Sequence, residues 1–543
     1  VTGPAAPGVP ARTAWIAGVV LALAAAAAHA AANPGEVLHG LADESLLVPL
    51  ARDAWNDALF RDDSWLRFAA RVFSKPYSWL LGAVLGVLDH PVQAFRALAL
   101  PFHAVFLAGC FRLVERVSGR GAAWTAAFGL AALPHILSWT TSGDVAWPLG
   151  AGAGLPRDLV FALLPWIWLA RDAAIGRGSL FRRCVVGFVL GLLANVHPLT
   201  AVHAMVVFGV LDLTLTPRPR AIRDAVIVGI VSIHGAVPYL IQWGSFPRLP
   251  GAASREVLLW RVEGIGAWTP TLWAERIEIA LWCVAAAAVL GRGRPDPARR
   301  PLRVAALAAL LLCILAPVLG ALVSGIQFDR MNRIAVWAAA LLVACELPSA
   351  LRARDVAALA LAAGALATGI AGRLAVRSAL EADRGPLEWA VRRLEVRLGI
   401  EGPHRPTLVP DRPRPADPSL DPVRAAAFLD VCAWVRANTP PGSTVLVPPE
   451  EFGAFRAYAV RPVPVTRKEG GFALSFLGGR GAAWFEQYRN AVVAYAGGGI
   501  AVADLAALRR ARWAVLDTRI SPPQGWTEAH AAGPYRVFRT DVQ

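Results

Sequence analysis

Lysine is nearly missing from this chain. Of 54 basic side chains in 543 residues, only Lys75 and Lys468 are lysines. Cysteine is scarce as well: there are six, none in a CxxC pair, and all but Cys432 (Cys110, Cys184, Cys283, Cys313 and Cys345) lie in or beside apolar runs. That spacing excludes a disulfide framework and a zinc module. No GxxxxGK[ST] segment occurs, which excludes a P-loop, and no stretch repeats at a fixed period. Acidic residues number 39 against those 54 bases, a formal net charge of +15. In a soluble protein this excess would suggest nucleic acid. Here the arginines cluster in short connectors between apolar blocks, as in cytoplasmic loops of membrane proteins, so no nucleic-acid partner is expected.

Apolar sequence is abundant: 56% of residues, with a mean hydropathy of +0.47, more than a soluble core of this size uses. Runs suited to the hydrocarbon fall near residues 14–32, 94–114, 121–141, 157–171, 183–196, 199–213, 222–243, 276–291, 303–323, 333–350 and 355–375. The sequence therefore predicts a polytopic α-helical membrane protein with about 11 transmembrane helices in residues 1–378. The first run, which follows Arg12, is expected to be a retained signal-anchor. The run from Val185 to Leu213 is broken at Asn195-Val196-His197-Pro198. As one helix it would separate Arg177, Arg182 and Arg183 from Arg218, Arg220 and Arg223. As two short helices hinged at His197-Pro198 it keeps both clusters on one side, together with Arg112, Arg116, Arg120, the basic block at 291–303, Arg352 and Arg354. The positive-inside bias selects the hinge, and it predicts a bacterial inner-membrane protein with a cytoplasmic N-terminus.

That topology gathers the polar segments on the outer face: the loop 33–75, Ser142 to Asp158, the His197 hinge, Gly244 to Glu275, and Gly325 to Arg333. Residues 76–88 are apolar but short, and read as an interfacial or re-entrant helix. Residues 379–422 combine an amphipathic helix, Glu381 to Leu398, with a Pro-rich linker. Residues 423–543 read as an extracytoplasmic soluble α/β domain. Its helices are expected at Val423–Asn438, 482–496 and 501–511, and its strands at Ser443–Val447, Val463–Thr466, Trp513–Leu516 and Tyr535–Arg539.

The first outer loop carries two acid pairs, Asp43-Glu44 and Asp62-Asp63, in a chain otherwise short of acid. An enzyme moving a sugar from a lipid-phosphate carrier to a hydroxyl needs a carboxylate near the outer surface. It either accepts the acceptor's proton or holds a divalent metal beside the phosphate. Asp43-Glu44 also open the amphipathic stretch DESLLVPLARD, where carboxylates favour a helix start, so helix capping competes with catalysis. For Asp62-Asp63 the competing reading is a surface turn. Arg330 and Arg333, in FDRMNRI, stand at the outer mouth of a span, where a guanidinium fork suits a lipid phosphate; snorkelling, or pairing with Asp329, is the alternative. His197 marks a helix break that would be tolerated where it lines a cavity. Lys468, in RPVPVTRKEG, could meet a carrier phosphate from the C-terminal domain, beside a glycine-rich loop at 470–481 that could act as a lid.

A first span followed at once by a loop with an Asp-Glu pair and an amphipathic helix, then many spans and an outer C-terminal domain, resembles the GT-C superfamily of membrane glycosyltransferases. The resemblance implies a polyprenyl-phosphate-linked sugar donor, contact with membrane lipids, and a catalytic acid in the first outer loop, here Asp43 or Glu44. The chain lacks the WWD-type motif of oligosaccharyltransferases and a DxD-like motif in a second outer loop, which points away from block transfer to asparagine. The segments DVCAWVRANTPPGSTVLVPPE and FRAYAVRPVPVTRKEG resemble a group of uncharacterised bacterial multispanning proteins with a W-[IV]-R-x-N-T-P segment. The expected function is transfer of a sugar to an acceptor hydroxyl, with Arg330, Arg333, His197, Lys468, Asp62 and Asp63 as candidate substrate-binding residues. The sequence assigns no cofactor beyond the divalent-metal option and no oligomeric state. Two other classes compete. A transporter or flippase of lipid-linked intermediates could pivot at His197-Pro198, although the chain has no repeat and almost no acid at its span centres. A non-enzymatic membrane scaffold would use its outer domain to hold partners.

Overall fold

The computed structural model of the chain describes residues 11–32, 37–38, 43–72, 74–138, 154–215, 220–244, 270–292, 296–316, 318–319, 328–367, 421–469 and 479–540. The expected helix at 381–398, nearly all of the Pro-rich linker, most of the outer segment from Ser142 to Asp158 and most of the glycine-rich loop lie outside these residues. After α1 (Ala11–Ala32) come α2 (Asp43–Trp55), α3 (Ser64–Val72) and α4 (Lys75–Leu88). Then follow α5 (Pro91–Ser118), α6 (Arg120–Ser138), α7 (Pro156–Gly176), α8 (Leu180–Leu193), α9 (Pro198–Leu215), α10 (Arg220–Gly235) and α11 (Val237–Gly244). The helices α12 (Pro270–Leu290), α13 (Arg300–Ile314), α14 (Asn332–Arg352) and α15 (Val356–Ala367) complete the apolar part. The C-terminal segment contributes α16 (Pro422–Asn438), β1 (Val445–Leu446), α17 (Phe455–Ala459), α18 (Gly479–Gly497), α19 (Gly499–Arg509), β2 (Trp513–Asp517), β3 (Thr527–Ala532) and β4 (Tyr535–Arg539). The chain divides into two compact units, residues 1–32, 98–239 and 268–402, and residues 33–97, 240–267 and 403–543.

The first unit is helical. Among the described residues, α5, α7, α9 and α14 are long and apolar enough to cross a membrane by length and composition, and shorter apolar helices cover Arg12–Ala28, Ile277–Leu290 and Val356–Ala367. Of the eleven or so spans expected, these four meet both the length and the composition criteria among the described residues, while α8, α10 and α13 have 14, 16 and 15 residues. Large apolar side chains stay exposed in stripes at helical spacing, such as Ile222, Val226, Ile230 and Ile233 on α10 and Phe181, Val185, Phe188 and Leu192 on α8. Such stripes suit lipid. Glycines let α8 and α10 touch: a Cβ on Gly191 would stand 2.0 Å from the Ser232 carbonyl oxygen.

The expected hinge is present as two helices, α8 and α9. At the break, the Asn195 amide donates to the carbonyls of Leu192 and Gly235 (both 3.0 Å) and accepts from the Tyr239 N–H (2.9 Å). At the opposite end, Arg183 donates to Asp212 (3.0 Å) and Asp224 (2.7 Å), and Arg171 Nε donates to Asp212 (2.9 Å). The start of α8, the end of α9 and the start of α10 therefore share one charged cluster, which is where the hairpin reading puts their arginines. A second buried knot joins Arg299 and Arg303 (2.7 Å) to Glu346 on α14, whose side chain is fully enclosed.

The second unit is built on a four-stranded sheet of order β1-β2-β4-β3. β1 runs parallel to β2, β2 antiparallel to β4, and β4 antiparallel to β3. Central β2 (WAVLD) is almost wholly buried, as its apolar run requires, whereas β3 (TEAHAA) is an exposed edge strand. The expected strand at Val463–Thr466 does not form. The stretch lies beside β1, with Val445 N–H donating to the Pro462 carbonyl (3.0 Å), but Pro462 and Pro464 have no N–H to give a ladder. The core of this unit draws on the first loop as well as the C-terminal segment. Trp65 and Phe68 of α3 join Trp484, Tyr488, Val502, Leu516 and Phe538, and Leu46 and Leu50 of α2 cluster with Phe60, Leu66 and Val460.

Candidate functional site

α2 begins at the first acid pair, and Asp43 and Glu44 occupy its first turn, where the helix dipole favours negative charge. The helix then buries Ser45 to Ala51. Asp43 is left exposed, and Lys468 of the C-terminal segment donates to its Oδ1 at 2.8 Å. The two residues stand 425 positions apart in the chain. Lys468, one of only two lysines, is itself mostly enclosed, with its side chain 13% exposed.

What brings Lys468 there is a buried network one residue further on. Arg456 on α17 is 2% exposed, inside a run in which Phe455, Ala457, Tyr458 and Ala459 are also buried. Its Nε donates to Asp63 Oδ2 (2.5 Å), its Nη2 to the Val463 carbonyl (2.5 Å), and its Nη1 to Glu469. Asp63 also accepts from the backbone N–H of Leu66 (2.9 Å) and Val463 (3.2 Å), and so caps α3. Glu469 accepts from the Thr466 N–H (2.6 Å) and hydroxyl (2.9 Å). One cation thus sits between two enclosed carboxylates, each held by further donors, as burial of charge demands. Asp62, by contrast, is exposed.

The W-V-R-A-N-T-P segment has a structural role in the same unit. Trp434 stacks on His530 and meets Trp513 edge-on. Arg461 caps the end of α16 with Nε on the Thr439 hydroxyl (2.8 Å) and Nη2 on the carbonyls of Arg436 (2.7 Å) and Thr439 (2.6 Å). Arg436 and Arg52 both pair with Asp89 at 2.9 Å.

Two carboxyls stand out electrostatically. Burial pushes Asp53 of α2 up to about 6, Arg67 opposing and Asp57 and Asp63 reinforcing; its Oδ1 is enclosed and makes no hydrogen bond. Burial, reinforced by Asp517, pushes Glu451 up to about 7, with Arg424 (3.6 Å) and Arg519 (3.7 Å) too distant to offset it. The sequence reading passed over Asp53 and Arg456. For Arg456 a signal existed, since a lone charge within the apolar run FGAFRAYAV has to be paired if the run is buried. For Asp53 there was none.

The remaining candidates belong to the first unit. Arg330 lies half-buried in a 3-10 turn, Phe328–Met331, and Arg333 is buried in the first turn of α14. His197 caps α9, its Nδ1 lying 3.2 Å from the Thr200 N–H and 2.8 Å from the Thr200 hydroxyl. Arg157 and Asp158 are buried at the start of α7, where Asp158 accepts the Leu155 N–H (3.0 Å). Among the described residues no group of three or more His, Cys, Asp or Glu side chains is arranged to hold a metal ion.

A family described as a domain of unknown function, DUF6798, matches residues 426–488, the stretch that contains Arg436, Arg456, Arg461, Lys468 and Glu469. No curated protein matches the chain. Among solved structures, the chain is similar to an oligosaccharyltransferase of Archaeoglobus fulgidus tethered to an acceptor peptide containing the NVT sequon (10% identity, 92% of this chain and 69% of that one, TM-score 0.46). It is similar to the archaeal oligosaccharyltransferase AglB from the same organism in complex with an inhibitory peptide and a dolichol-phosphate (10%, 92% and 69%, 0.45). It is also similar to the A. fulgidus enzyme in complex with zinc and sulfate (11%, 92% and 68%, 0.45).

Proposed function

We propose that the chain is a membrane glycosyltransferase that moves a sugar from a polyprenyl-phosphate carrier to an acceptor hydroxyl on the extracytoplasmic face of the bacterial inner membrane. The observation that carries this reading is the Asp43–Lys468 pair: a solvent-open carboxylate at a helix start, held 2.8 Å from the ammonium of one of the chain's two lysines. In the reaction the acceptor oxygen attacks C1 of the sugar, the bond from C1 to the carrier phosphate breaks, and the acceptor proton passes to a carboxylate. Asp43 or Glu44 is that base. A carrier phosphate that takes over Lys468 frees Asp43 for the proton at the moment the donor is bound. Within the first unit, Arg330 and Arg333 are the candidate cationic donors for a lipid phosphate.

The test is a set of variants, Asp43→Asn, Glu44→Gln and the double substitution, in cells scored for surface glycoconjugates, with membrane insertion checked by protease accessibility. Loss of one glycan species in the double variant is expected. An unchanged glycan profile in a correctly inserted double variant rejects the reading. Lys468→Met is expected to raise the donor concentration needed for half-maximal transfer, with the acceptor dependence left in place.

A further inference from the structure

α4 has two faces, and only one of them meets protein. Ser74 caps its start by accepting the Tyr77 N–H, and Asp89 ends it in a left-handed conformation (φ 47°) with its N–H on the Leu85 carbonyl. Tyr77, Ser78, Leu81, Gly82 and Leu85 turn inward. The helix packs on α2, and Gly82 is required there, because a Cβ would stand 2.2 Å from the Trp55 ring. The other face presents Trp79, Leu80, Val87 and Leu88, all exposed, and Val87 is 84% open. Trp55 extends this surface: it is 63% exposed and its indole N–H donates to the Trp79 carbonyl (2.9 Å). No charged residue lies between Lys75 and Asp89.

We propose that this face lies in the interfacial layer of the lipid bilayer, with Trp55 and Trp79 at headgroup depth and Leu80, Val87 and Leu88 among the upper acyl carbons. Chain continuity selects the occupant. Only Asp89 and His90 separate the end of α4 from α5, which is one of the helices long and apolar enough to cross a membrane, so α4 ends where the bilayer surface must be. The composition fits as well. Tryptophans favour the membrane–water boundary, and the helix is too short to span. Its ends carry cations suited to lipid phosphates, exposed Lys75 at one and the Arg436–Asp89–Arg52 cluster at the other.

The test places a nitroxide at Val87→Cys, and separately at Leu80→Cys, in the full chain reconstituted in phosphatidylethanolamine/phosphatidylglycerol nanodiscs, with the unsubstituted chain as blank. Collision with molecular oxygen and with a water-soluble nickel chelate is measured by paramagnetic relaxation. The expected result at both positions is oxygen access exceeding nickel access at least threefold, placing the label below the phosphates. Greater nickel access means the face is in water, and protection from both reagents means that protein covers it, whether another segment, a second copy or a different chain. Either outcome overturns the proposal. Leu85→Cys, on the inward face, should be shielded from both reagents and serves as the internal reference for protein burial.

Discussion

The Arg456 network offers the sharpest quantitative test. Replacing Arg456 by methionine keeps the length of the side chain and removes the charge. Asp63 and Glu469 are then left facing each other, with side chains 0% and 1% exposed, and the Val463 carbonyl loses its guanidinium donor. Breaking a buried ion pair from one side costs about 3–5 kcal/mol, because the orphaned charge stays desolvated. For a unit of this size, 2–4 °C per kcal/mol converts this to a fall of roughly 6–20 °C in apparent melting temperature. The assay is thermal unfolding of the purified full chain, followed by intrinsic fluorescence at pH 7.5. The Asp63→Leu, Arg456→Met, Glu469→Met triple variant removes all three charges together and is expected to recover most of the loss, since an apolar replacement of a buried triad is often neutral or better. Lys468→Met is the contrasting control. Its partner Asp43 is 64% exposed, so the pair contributes about 0–1 kcal/mol after solvent screening. The reasoning fails if Arg456→Met costs no more than Lys468→Met, or if the triple variant is as unstable as the single one.

Other outcomes follow from the same contacts. Arg461→Lys cannot reproduce the fork that holds Thr439 and Arg436, and should cost about 2 kcal/mol, read as a lower denaturation midpoint in urea. Glu451 is raised from 4.5 to about 7 in the folded state, so it favours folding when protonated. Its stabilising contribution is full below about pH 4.5 and is lost as pH rises through about 7, and Glu451→Gln should flatten the stability profile over that interval. Asp212→Ala leaves Arg171 and Arg183 short of an enclosed partner, and should reduce the yield of folded protein far more than Arg223→Ala at the exposed rim, as judged by gel filtration in detergent.

The apolar blocks, the hinge between α8 and α9 and the buried strands β2 and β4 were legible because each depends on local periodicity or on charge balance between nearby connectors. β3 was not. TEAHAA has no apolar alternation, because as an edge strand it buries little, and only its pairing with β4 makes it a strand. Asp62-Asp63 looked like a unit in the sequence, but the structure separates the two acids, leaving one in water and burying the other under Arg456. Nothing within thirty residues of Asp63 announces that partner, and the same holds for Asp43 and Lys468. Residue types at the candidate site could be read from the sequence, but the pairs could not, because long-range pairing is set by how the second unit packs.

The bond from Arg456 to Asp63 spans 393 residues of chain. At about 5–20 residues per second, a ribosome needs roughly 20–80 s to supply the arginine after the aspartate has been made. Throughout that interval Asp63 and the core-forming rings of Trp65 and Phe68 wait without their final neighbours, while the intervening helices are made one after another. The first loop therefore emerges well before the segment that completes it and is among the last parts to fold. A mutation or truncation near residue 456 would show its damage first near residue 63, as protease sensitivity in a segment synthesised hundreds of residues earlier.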